Sequence, residues 1–304
     1  MKNLMSKVVV MLMAFTMTLA GCSSGSDSTA SSTSDASSTS DSTTTVSSGV
    51  EDGVLTIAME CAYAPYNWTQ TDDSNGAVPI KDTSDYANGY DIMIAKKICE
   101  ANGWELEVVR SDWDSLVPSV QTGVIDAAIA GQSMTAERSE QVDFAGPYYY
   151  ASFAILVKAD SDLANATSIH DFAGYSGTAQ SATIWYSECL PQMDGATIET
   201  ASESAPAMIM AVESGTVDFV VTDLPTATGA TVAYPDLKVL DFTGTDGDFE
   251  FSDEVRAENV NIGISVRKGN TELKDAINSV LSTMTADDFN ALMDEAIAIQ
   301  PLGE

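Results

Sequence analysis

The chain has 304 residues, of which 45 are aspartate or glutamate and 13 are lysine or arginine, so its formal net charge is −32. A surface this acidic repels nucleic acid and anionic membranes, and we expect no nucleic-acid partner. His170 is the only histidine and no C-x-x-C pair occurs, so neither a metal site nor a cofactor is expected. The phosphate-binding pattern G-x-x-x-x-G-K-[ST] is absent, so ATP hydrolysis by that motif is excluded.

The chain begins with a predicted lipoprotein signal peptide, residues 1–21. Lys2 and Lys7 form a positive region before the apolar run VVVMLMAFTMTLA (residues 8–20), which is too short to span a bilayer comfortably. The run ends in the letters LAGC, which resemble a bacterial lipobox and make Cys22 the expected diacylated N-terminus. An ordinary signal peptide with an incidental cysteine is the alternative. No other stretch is apolar for long enough to cross a bilayer, so we expect a protein anchored only by lipid on the extracellular face of the cell membrane.

Residues 22–51 form a predicted tether. They are mostly serine and threonine, with scattered aspartates and no aromatic residue. Such a segment cannot bury enough apolar surface to offset its chain entropy, so we predict that it is disordered. The folded body then begins near Asp52, and its length suits one large domain or two lobes.

The body alternates between strand and helix patterns. DGVLTIAME predicts an opening strand, YDIMIAKKICEANG a helix that ends at Gly103, and WELEVVRS a second strand. SFAILVKA and NIGISVRKG predict two later strands, which we expect to carry the chain between lobes. NTELKDAINSVLSTM and TADDFNALMDEAI predict two closing amphipathic helices, the first capped by Asn270 or Thr271. This alternation predicts the α/β class.

Two segments share one pattern: QTGVIDAAIAG (residues 121–131) and ESGTVDFVVTD (residues 213–223). In each, a helix with periodic apolar residues is followed by a glycine, a natural residue just past a helix end, and then by a short buried strand. Ligands of open α/β sheets bind beyond the carboxyl ends of the strands. If two lobes face each other, the residues after these two strands line one cleft. Chance similarity of two helix–strand units is the alternative.

Five stretches of the body carry a family resemblance: LTIAMECAYAPYNW, NGYDIMIAKKI, SDWDSLVPSVQTGVIDAAIAGQSMTAERSEQVDFAGPYYY, VESGTVDFVVTD and GISVRKGNTELKDAIN. They resemble the family 3 extracellular solute-binding proteins of polar amino-acid ABC transporters, which include lysine/arginine/ornithine- and glutamine-binding proteins. The resemblance implies a two-lobed, hinged fold of the periplasmic-binding-protein type (type II). Lobe 1 would comprise residues 52–151 and 262–304, and lobe 2 residues 152–261. The resemblance also implies a monomer that hands a small amino acid to an ABC permease with its ATPase subunit.

The resemblance assigns the two charges of the ligand to two residues. Arg138 is the arginine of the family's S/T-x-T-x-E-R segment, and its planar guanidinium would grip the ligand's α-carboxylate. Asp223 matches the acidic residue that meets the α-ammonium. The alternatives are a surface arginine paired with Glu137 or Glu140, and an aspartate that caps a helix; Asp223 can do both.

Smaller groups around the carboxylate follow from the same matches. Ser133 would add a hydroxyl, and Gly131 would offer backbone with no side chain in the way. From the other lobe, the stretch SGTAQSAT (residues 176–183) matches a family loop before a helix, although it departs from the usual V-G-V-x-x-G-T. Ala182 and Thr183 would supply amide groups, and Thr183 also a hydroxyl.

The side chain of the ligand would meet two aromatic and two acidic residues. Tyr63 and Trp113 occupy the family's aromatic positions, with core packing as the alternative. Glu60 and Asp91 match positions near the side-chain end, which favours a cationic amino acid: arginine, lysine, ornithine or histidine. An acid at the Glu60 position also occurs in relatives that bind neutral glutamine, and Asp91 is alternatively the cap of a helix that begins at Ile92.

The cysteines of the body predict no disulfide framework, because Cys61, Cys99 and Cys189 are odd in number. In some relatives the cysteine that matches Cys99 pairs with a cysteine seven residues later. That position is Leu106 here, so we expect Cys99 to be a buried thiol.

A binding protein that is not an enzyme is the expected function, and two others remain open. Some exported dehydratases of aromatic precursors share the architecture, and Glu60 is the acid that such an enzyme would use. A ligand-sensing protein is the other, although it would need a partner because no signalling domain is apparent in the sequence.

Overall fold

The computed structural model describes residues 50, 52–150, 152–252, 255 and 260–301. The predicted signal peptide, Cys22 and almost all of the predicted tether lie outside these residues. Within them, no helix is both long and apolar enough to cross a membrane. In chain order, the strands are β1 Val54–Met59, β2 Ala62–Tyr63, β3 Asn67–Gln70, β4 Val78–Pro79, β5 Tyr86–Asn88, β6 Glu105–Arg110, β7 Ala127–Ala128, β8 Asp143–Tyr149, β9 Phe153–Lys158, β10 Ser176–Thr178, β11 Thr197–Ile198, β12 Phe219–Asp223, β13 Leu237–Leu240 and β14 Ile262–Val266.

Buried residues of the α-helices pack with those of the strands in the hydrophobic cores. Short 3-10 and π turns connect several of the elements. The helices are α1 Tyr90–Asn102, α2 Leu116–Thr122, α3 Ala136–Gln141, α4 Ala205–Glu213, α5 Leu224–Ala233, α6 Thr271–Leu281 and α7 Ala286–Ile299.

The first large sheet has the strand order β6-β1-β7-β14-β8. Strand β1 runs parallel to β6 and β7, whereas β14 runs antiparallel to β7 and β8. A smaller sheet, β2-β3-β5-β4, lies beside it, and both share one hydrophobic core that includes the buried faces of α1, α6 and α7. We call this part lobe 1.

The second large sheet has the order β11-β10-β12-β9-β13. Strand β12 is parallel to β10 and antiparallel to β9. All five residues of β12 are buried, as expected for a strand that is covered on both faces. This sheet has a separate hydrophobic core. We call the sheet and the residues of this core lobe 2.

Both predicted helix–glycine–strand units are present. Gly123 is the C-cap of helix α2, and Gly215 lies two residues after the end of helix α4. Both glycines have a left-handed backbone (φ 74° and 73°), which lets a helix stop. The strands β7 and β12 follow them. Strand β7 leads to Gly131 and strand β12 ends in Asp223; both residues were expected to bind the ligand.

Two details of the sequence interpretation are wrong. The strands SFAILVKA and NIGISVRKG do not run between lobes, because β9 lies wholly in the second sheet and β14 wholly in the first; each is the first strand after the chain has changed sheets. Helix α1 begins at Tyr90 rather than Ile92, with Gly89 at its N-cap. Asp91 is therefore inside the first turn and does not cap that helix. The prediction of Asn270 as the cap of α6 is confirmed by its bond from the Leu273 amide.

Candidate ligand-binding site

The two lobes meet in a cleft, where two hydrogen bonds join residues that were expected to bind the ligand. The Nη2 of Arg138 in lobe 1 donates to the carbonyl oxygen of Ala182 in lobe 2 at 2.6 Å. The hydroxyl of Tyr63 in lobe 1 donates to Oδ2 of Asp223 in lobe 2 at 2.7 Å. Four of the residues expected to bind the ligand are thus brought together from distant parts of the chain.

Arg138 is a buried cation held by neutral groups. Thr135 caps α3 by accepting a bond from the Arg138 amide, which fixes where the side chain starts. Arg138 is 9% exposed. Its guanidinium donates through Nη1 to the Ser133 carbonyl at 2.8 Å and lies 5.2 Å from the centre of the Trp113 ring. Burial lowers the pKa of Arg138 to about 10, while the charge of Glu137 acts against that shift. Among the described residues, no carboxylate forms an ion pair with it.

Asp223 is the corresponding buried anion. It caps helix α5, because Oδ1 accepts a bond from the Thr226 amide at 2.9 Å. Its Oδ2 accepts bonds from the hydroxyls of Tyr63 and Thr226 at 2.7 and 2.8 Å. Burial raises the pKa of Asp223, and these hydrogen bonds oppose the rise. Asp223 is fully buried, and no cation forms an ion pair with it in the described part of the chain.

Aromatic rings lie between the two charges. Tyr63 and Trp113 are both buried, and their rings meet edge to face with centroids 6.4 Å apart. Trp113 thus contacts the cation and Tyr63 contacts the anion. This continuous path of contacts runs from Arg138 to Asp223.

The loop after β7 approaches these rings closely. Gly131 has a φ of 63°, and a Cβ at this position would lie 2.8 Å from the Tyr63 ring, so only glycine fits without displacing the ring. The Gly131 amide donates to the hydroxyl of Tyr148 at 3.0 Å. Ser133 is buried, with 6% of its surface exposed. Its backbone carbonyl accepts the hydrogen bond from Arg138.

The lobe 2 loop presents a carbonyl to Arg138. Ala182 is exposed and has a φ of 52°, a strained backbone for a residue with a side chain, and its carbonyl receives the bond from Arg138. The hydroxyl of Thr183 donates to the Gln180 carbonyl at 2.7 Å. Both predicted residues are therefore at the cleft, while the role of their amides stays a prediction.

Glu60 lies at an acidic end of the cleft and is partly buried. Its Oε2 is 3.5 Å from the Nε2 of Gln180 in lobe 2. Burial raises the pKa of Glu60 to about 7, the hydrogen bond from Gln180 opposes the rise, and the charges of Asp112 and Asp114 add to it. A cation bound here would lower that pKa again, because opposite charges favour ionisation.

Asp91 lies behind the cleft in the core of lobe 1. Its two oxygens accept bonds from the Tyr148 hydroxyl at 2.6 Å and from the Asn67 amide at 2.8 Å. Burial raises the pKa of Asp91 to about 7, while these bonds lower it. The Tyr148 hydroxyl also accepts a hydrogen bond from the Gly131 amide. Asp91 therefore supports, through Tyr148, the loop that contains Gly131.

A cavity of about 520 Å³ opens beside Arg138. Apolar side chains and the acids Asp114, Glu137 and Glu188 contribute to its lining. No cluster of three or more potential metal ligands occurs among the residues that the structure describes. Cys61, Cys99 and Cys189 are buried and unbridged, which confirms the expectation for Cys99.

Sequence reasoning missed several residues of the site. Gln180 and Thr226 contact the two carboxylates Glu60 and Asp223, and Tyr148 joins Asp91 to the Gly131 loop. The tyrosine cluster in GPYYY was the only signal for Tyr148. Nothing local in the sequence distinguishes Gln180 or Thr226 from a surface residue.

Two facing α/β lobes with a polar cleft between them define a substrate-binding protein of the bilobal type. The family model for bacterial extracellular solute-binding proteins, family 3, matches residues 55–297. The chain belongs to this family, as its sequence motifs indicated.

Individual relatives agree with this assignment. The octopine-binding periplasmic protein of Rhizobium meliloti is 27% identical over 151 residues. That alignment covers 50% of this chain and 47% of the relative, so it spans about half the relative's length.

Solved structures match over a larger share. The amino-acid ABC transporter substrate-binding protein AbpA of Streptococcus pneumoniae, bound to L-arginine, gives a TM-score of 0.67 at 28% identity, covering 81% of this chain and 95% of that one. An ancestral arginine-binding protein bound to glutamine gives 0.63 at 29% identity, with 80% and 97% covered. The predicted two-lobed α/β fold of the periplasmic-binding-protein type is thereby confirmed.

Proposed function

We propose that this protein captures a polar L-amino acid outside the cell and delivers it to an ABC permease that is driven by a separate ATPase subunit. A cationic amino acid is the preferred ligand. Cys22 carries the lipid that holds the protein on the extracellular face of the membrane, and the protein acts as a monomer.

One observation carries the proposal: the cleft buries a cation and an anion, one from each lobe, without an ionic partner for either among the described residues. Burying a charge without a counter-charge is costly. A zwitterion that places its carboxylate at Arg138 and its ammonium at Asp223 would neutralise both. The guanidinium suits a carboxylate because it offers a planar pair of donors.

The preference for a cationic side chain is supported by Glu60. Its carboxyl has a raised pKa and lies near two further acids, Asp112 and Asp114, so a positive side chain would relieve their repulsion. The matched structures contain arginine in one case and glutamine in another. A neutral, glutamine-like ligand, bound for transport or for sensing through a partner, is therefore the second candidate.

An enzymatic role is the weaker alternative, and we propose that the protein is not an enzyme. A dehydratase of an aromatic precursor needs an acid over the substrate, and Glu60 with a pKa of about 7 is the group that would serve. The buried Arg138 and Asp223 instead match the two ends of an amino acid. Dehydration of an aromatic precursor by the purified protein would contradict the proposal.

Lipid attachment is tested at Cys22. The thioether to the lipid needs the cysteine sulfur, so Cys22→Ala is expected to leave the protein unlabelled when cells are fed a labelled fatty acid. Label that stays on the variant would contradict the anchor.

Ligand binding is tested by a thermal-shift screen of the twenty common amino acids with ornithine and citrulline. A ligand at 100 times its dissociation constant adds about 2.7 kcal/mol to the stability of the folded state. Stabilisation by arginine, lysine, ornithine or histidine supports the cationic ligand, and stabilisation by glutamine alone supports the second candidate. A screen with no stabilising amino acid would contradict the proposed function.

A further inference from the structure

Tyr66 is a fully buried tyrosine with an unpaired hydroxyl. Its exposed fraction is 0%, and its oxygen has no hydrogen-bond partner among the residues that the structure describes. Leaving a buried polar group unpaired costs stability, so such a group calls for an explanation.

The neighbouring tyrosines show that this is a particular feature of Tyr66. Tyr63 donates to Asp223, Tyr148 donates to Asp91, and Tyr90 donates to the Tyr148 carbonyl. Tyr66 packs among these rings, with its centroid 5.1 Å from that of Tyr63 and 6.1 Å from that of Tyr90. The aromatic cluster therefore satisfies the other buried hydroxyls and leaves one.

Tyr66 borders the cleft from lobe 1. The Cγ of its ring lies 3.0 Å from where a Cβ on Gly131 would be, so the ring lies against the loop that leads to Arg138. Burial raises the pKa of Tyr66, and the next largest cause is the negative charge of Asp223 in lobe 2. The Tyr66 hydroxyl is therefore close enough to Asp223 for the charge of that carboxylate to affect it.

The anion keeps room for one more donor. The Oδ2 of Asp223 accepts bonds from the hydroxyls of Tyr63, Thr226 and Thr222, whereas its Oδ1 accepts one bond, from the Thr226 amide. A carboxylate oxygen has two lone pairs, so Oδ1 can take a further N–H. An ammonium placed there would have N–H groups left for a second acceptor.

We propose that Tyr66 is a ligand-binding residue whose hydroxyl oxygen accepts a hydrogen bond from the α-ammonium that pairs with Asp223. This inference rests on the proposed function, since it assumes an amino acid in the cleft. It also makes Tyr66 a determinant of specificity, because a ligand without the α-amino group leaves the hydroxyl unpaired.

The test is Tyr66→Phe, which removes only the oxygen. With L-arginine and L-glutamine as probes in titration calorimetry, the variant is expected to bind the tighter probe about 10-fold more weakly, because a hydrogen bond to a charged group is lost. The melting temperature of the ligand-free variant is expected to be equal to or higher than that of the wild type. A merely structural tyrosine would not combine weaker binding with unchanged or greater stability.

A ligand analogue and a matched variant make the test specific. The analogue is 5-guanidinopentanoate, which is arginine without its α-amino group; Tyr66→Phe should change its affinity less than about threefold. The matched variant is Tyr90→Phe, whose hydroxyl bonds within lobe 1; we expect it to lower the melting temperature and to change arginine binding less than about threefold.

The outcomes are distinguishable. If the wild type binds and Tyr66→Phe weakens the affinity for both probes by less than about threefold, the role of Tyr66 is overturned and the proposed function stands. An equal loss for arginine and its analogue overturns the contact with the ammonium. Wild-type protein that binds no amino acid overturns the proposed function, and the role of Tyr66 with it. If Tyr66→Phe does not fold, a wild type that binds arginine and its analogue within about threefold of each other overturns the ammonium contact.

Discussion

The two helix–glycine–strand units, one in each lobe, lead to residues of opposite charge in the cleft. In lobe 1, α2, Gly123 and β7 lead into the loop and short helix that carry Arg138; in lobe 2, α4, Gly215 and β12 lead directly to Asp223. The units share their backbone plan, yet the anion is the last residue of its strand, whereas the cation lies beyond a turn on a separate helix.

This difference changes what holds each charge. Asp223 accepts two bonds from Thr226 and a longer one from Thr222 in its own lobe, and one from Tyr63 in the other. Arg138 donates to one carbonyl in each lobe, Ser133 and Ala182. The anion is therefore built into the fold of lobe 2, while the arrangement of the cation depends on contact between the lobes. Substitutions should separate the two: those at Arg138 should affect binding alone, and those at Asp223 both binding and stability.

The largest effect is expected from Arg138→Ala. The ligand carboxylate would lose its cation, at a cost of about 2–5 kcal/mol, or very roughly 30- to 5,000-fold in affinity. Arg138→Lys should recover only part of the loss, because an ammonium cannot make the two-pronged contact. Calorimetric titration with the best ligand of the screen measures the affinity, and urea denaturation checks that the fold is retained.

The control for this prediction is Arg110→Ala. Arg110 forms an exposed pair with Asp85 at 3.3 Å, so its removal should change stability by about 0.5 kcal/mol or less and leave affinity within about threefold. If the Arg138→Ala variant binds the ligand with wild-type affinity, Arg138 does not bind the α-carboxylate.

Asp223→Asn should weaken both binding and stability. Asparagine can still cap α5 through its oxygen, but the hydroxyls of Tyr63 and Thr226 lose a charged acceptor, so we expect about 1–2 kcal/mol less stability and about 1.5–3 kcal/mol weaker binding. Asp171→Asn is the control. Asp171 accepts bonds from the Thr167 and Ser168 amides in a capping box of lobe 2, so its substitution should lower stability without affecting affinity. Wild-type affinity in the Asp223→Asn variant would contradict the pairing of Asp223 with the α-ammonium of the ligand.

Glu60→Gln should discriminate between ligands. Because Glu60 is only partly buried, we discount its pairing energy for solvent to about 1 kcal/mol, or roughly fivefold for arginine, with glutamine unchanged. The pKa of about 7 means that wild-type affinity for arginine should rise between pH 6 and pH 8, as the carboxyl ionises, and that the variant should lose this dependence. Equal losses for arginine and glutamine in calorimetry would contradict the cationic preference.

The smallest effect on binding is expected from Asp91→Asn, which acts on the Gly131 loop only through Tyr148 and should cost less than about threefold for either ligand. Its clearer effect is on stability against pH. The folded pKa of about 7 exceeds the usual value near 4, so the favourable contribution of the protonated acid is complete below about pH 4 and is lost as the pH rises through 7. Urea denaturation from pH 4 to pH 8 should show a shallower decline in the variant; an unchanged slope would contradict the raised pKa.

The sequence by itself determined the elements and the polarity of the site. Apolar periodicity and a terminal glycine predicted α1 up to Gly103 and the two helix–glycine–strand units, because these signals depend on residues a few positions apart. The motif around Arg138 and the end of β12 identified the two charged residues by resemblance, and both are in the cleft.

Only the tertiary structure decided which partners those residues have. Tyr63 and Asp223 are 160 positions apart, and Arg138 and Ala182 are 44 apart, so no local pattern could pair them. Asp91 has the same local signal as a helix cap, yet burial placed it behind the cleft on Tyr148. The physical reason is that a hydrogen-bond partner and the pKa of a carboxyl depend on burial and on groups brought close by packing. Local propensity fixes a residue's secondary structure, whereas the packing of two lobes fixes what its side chain meets.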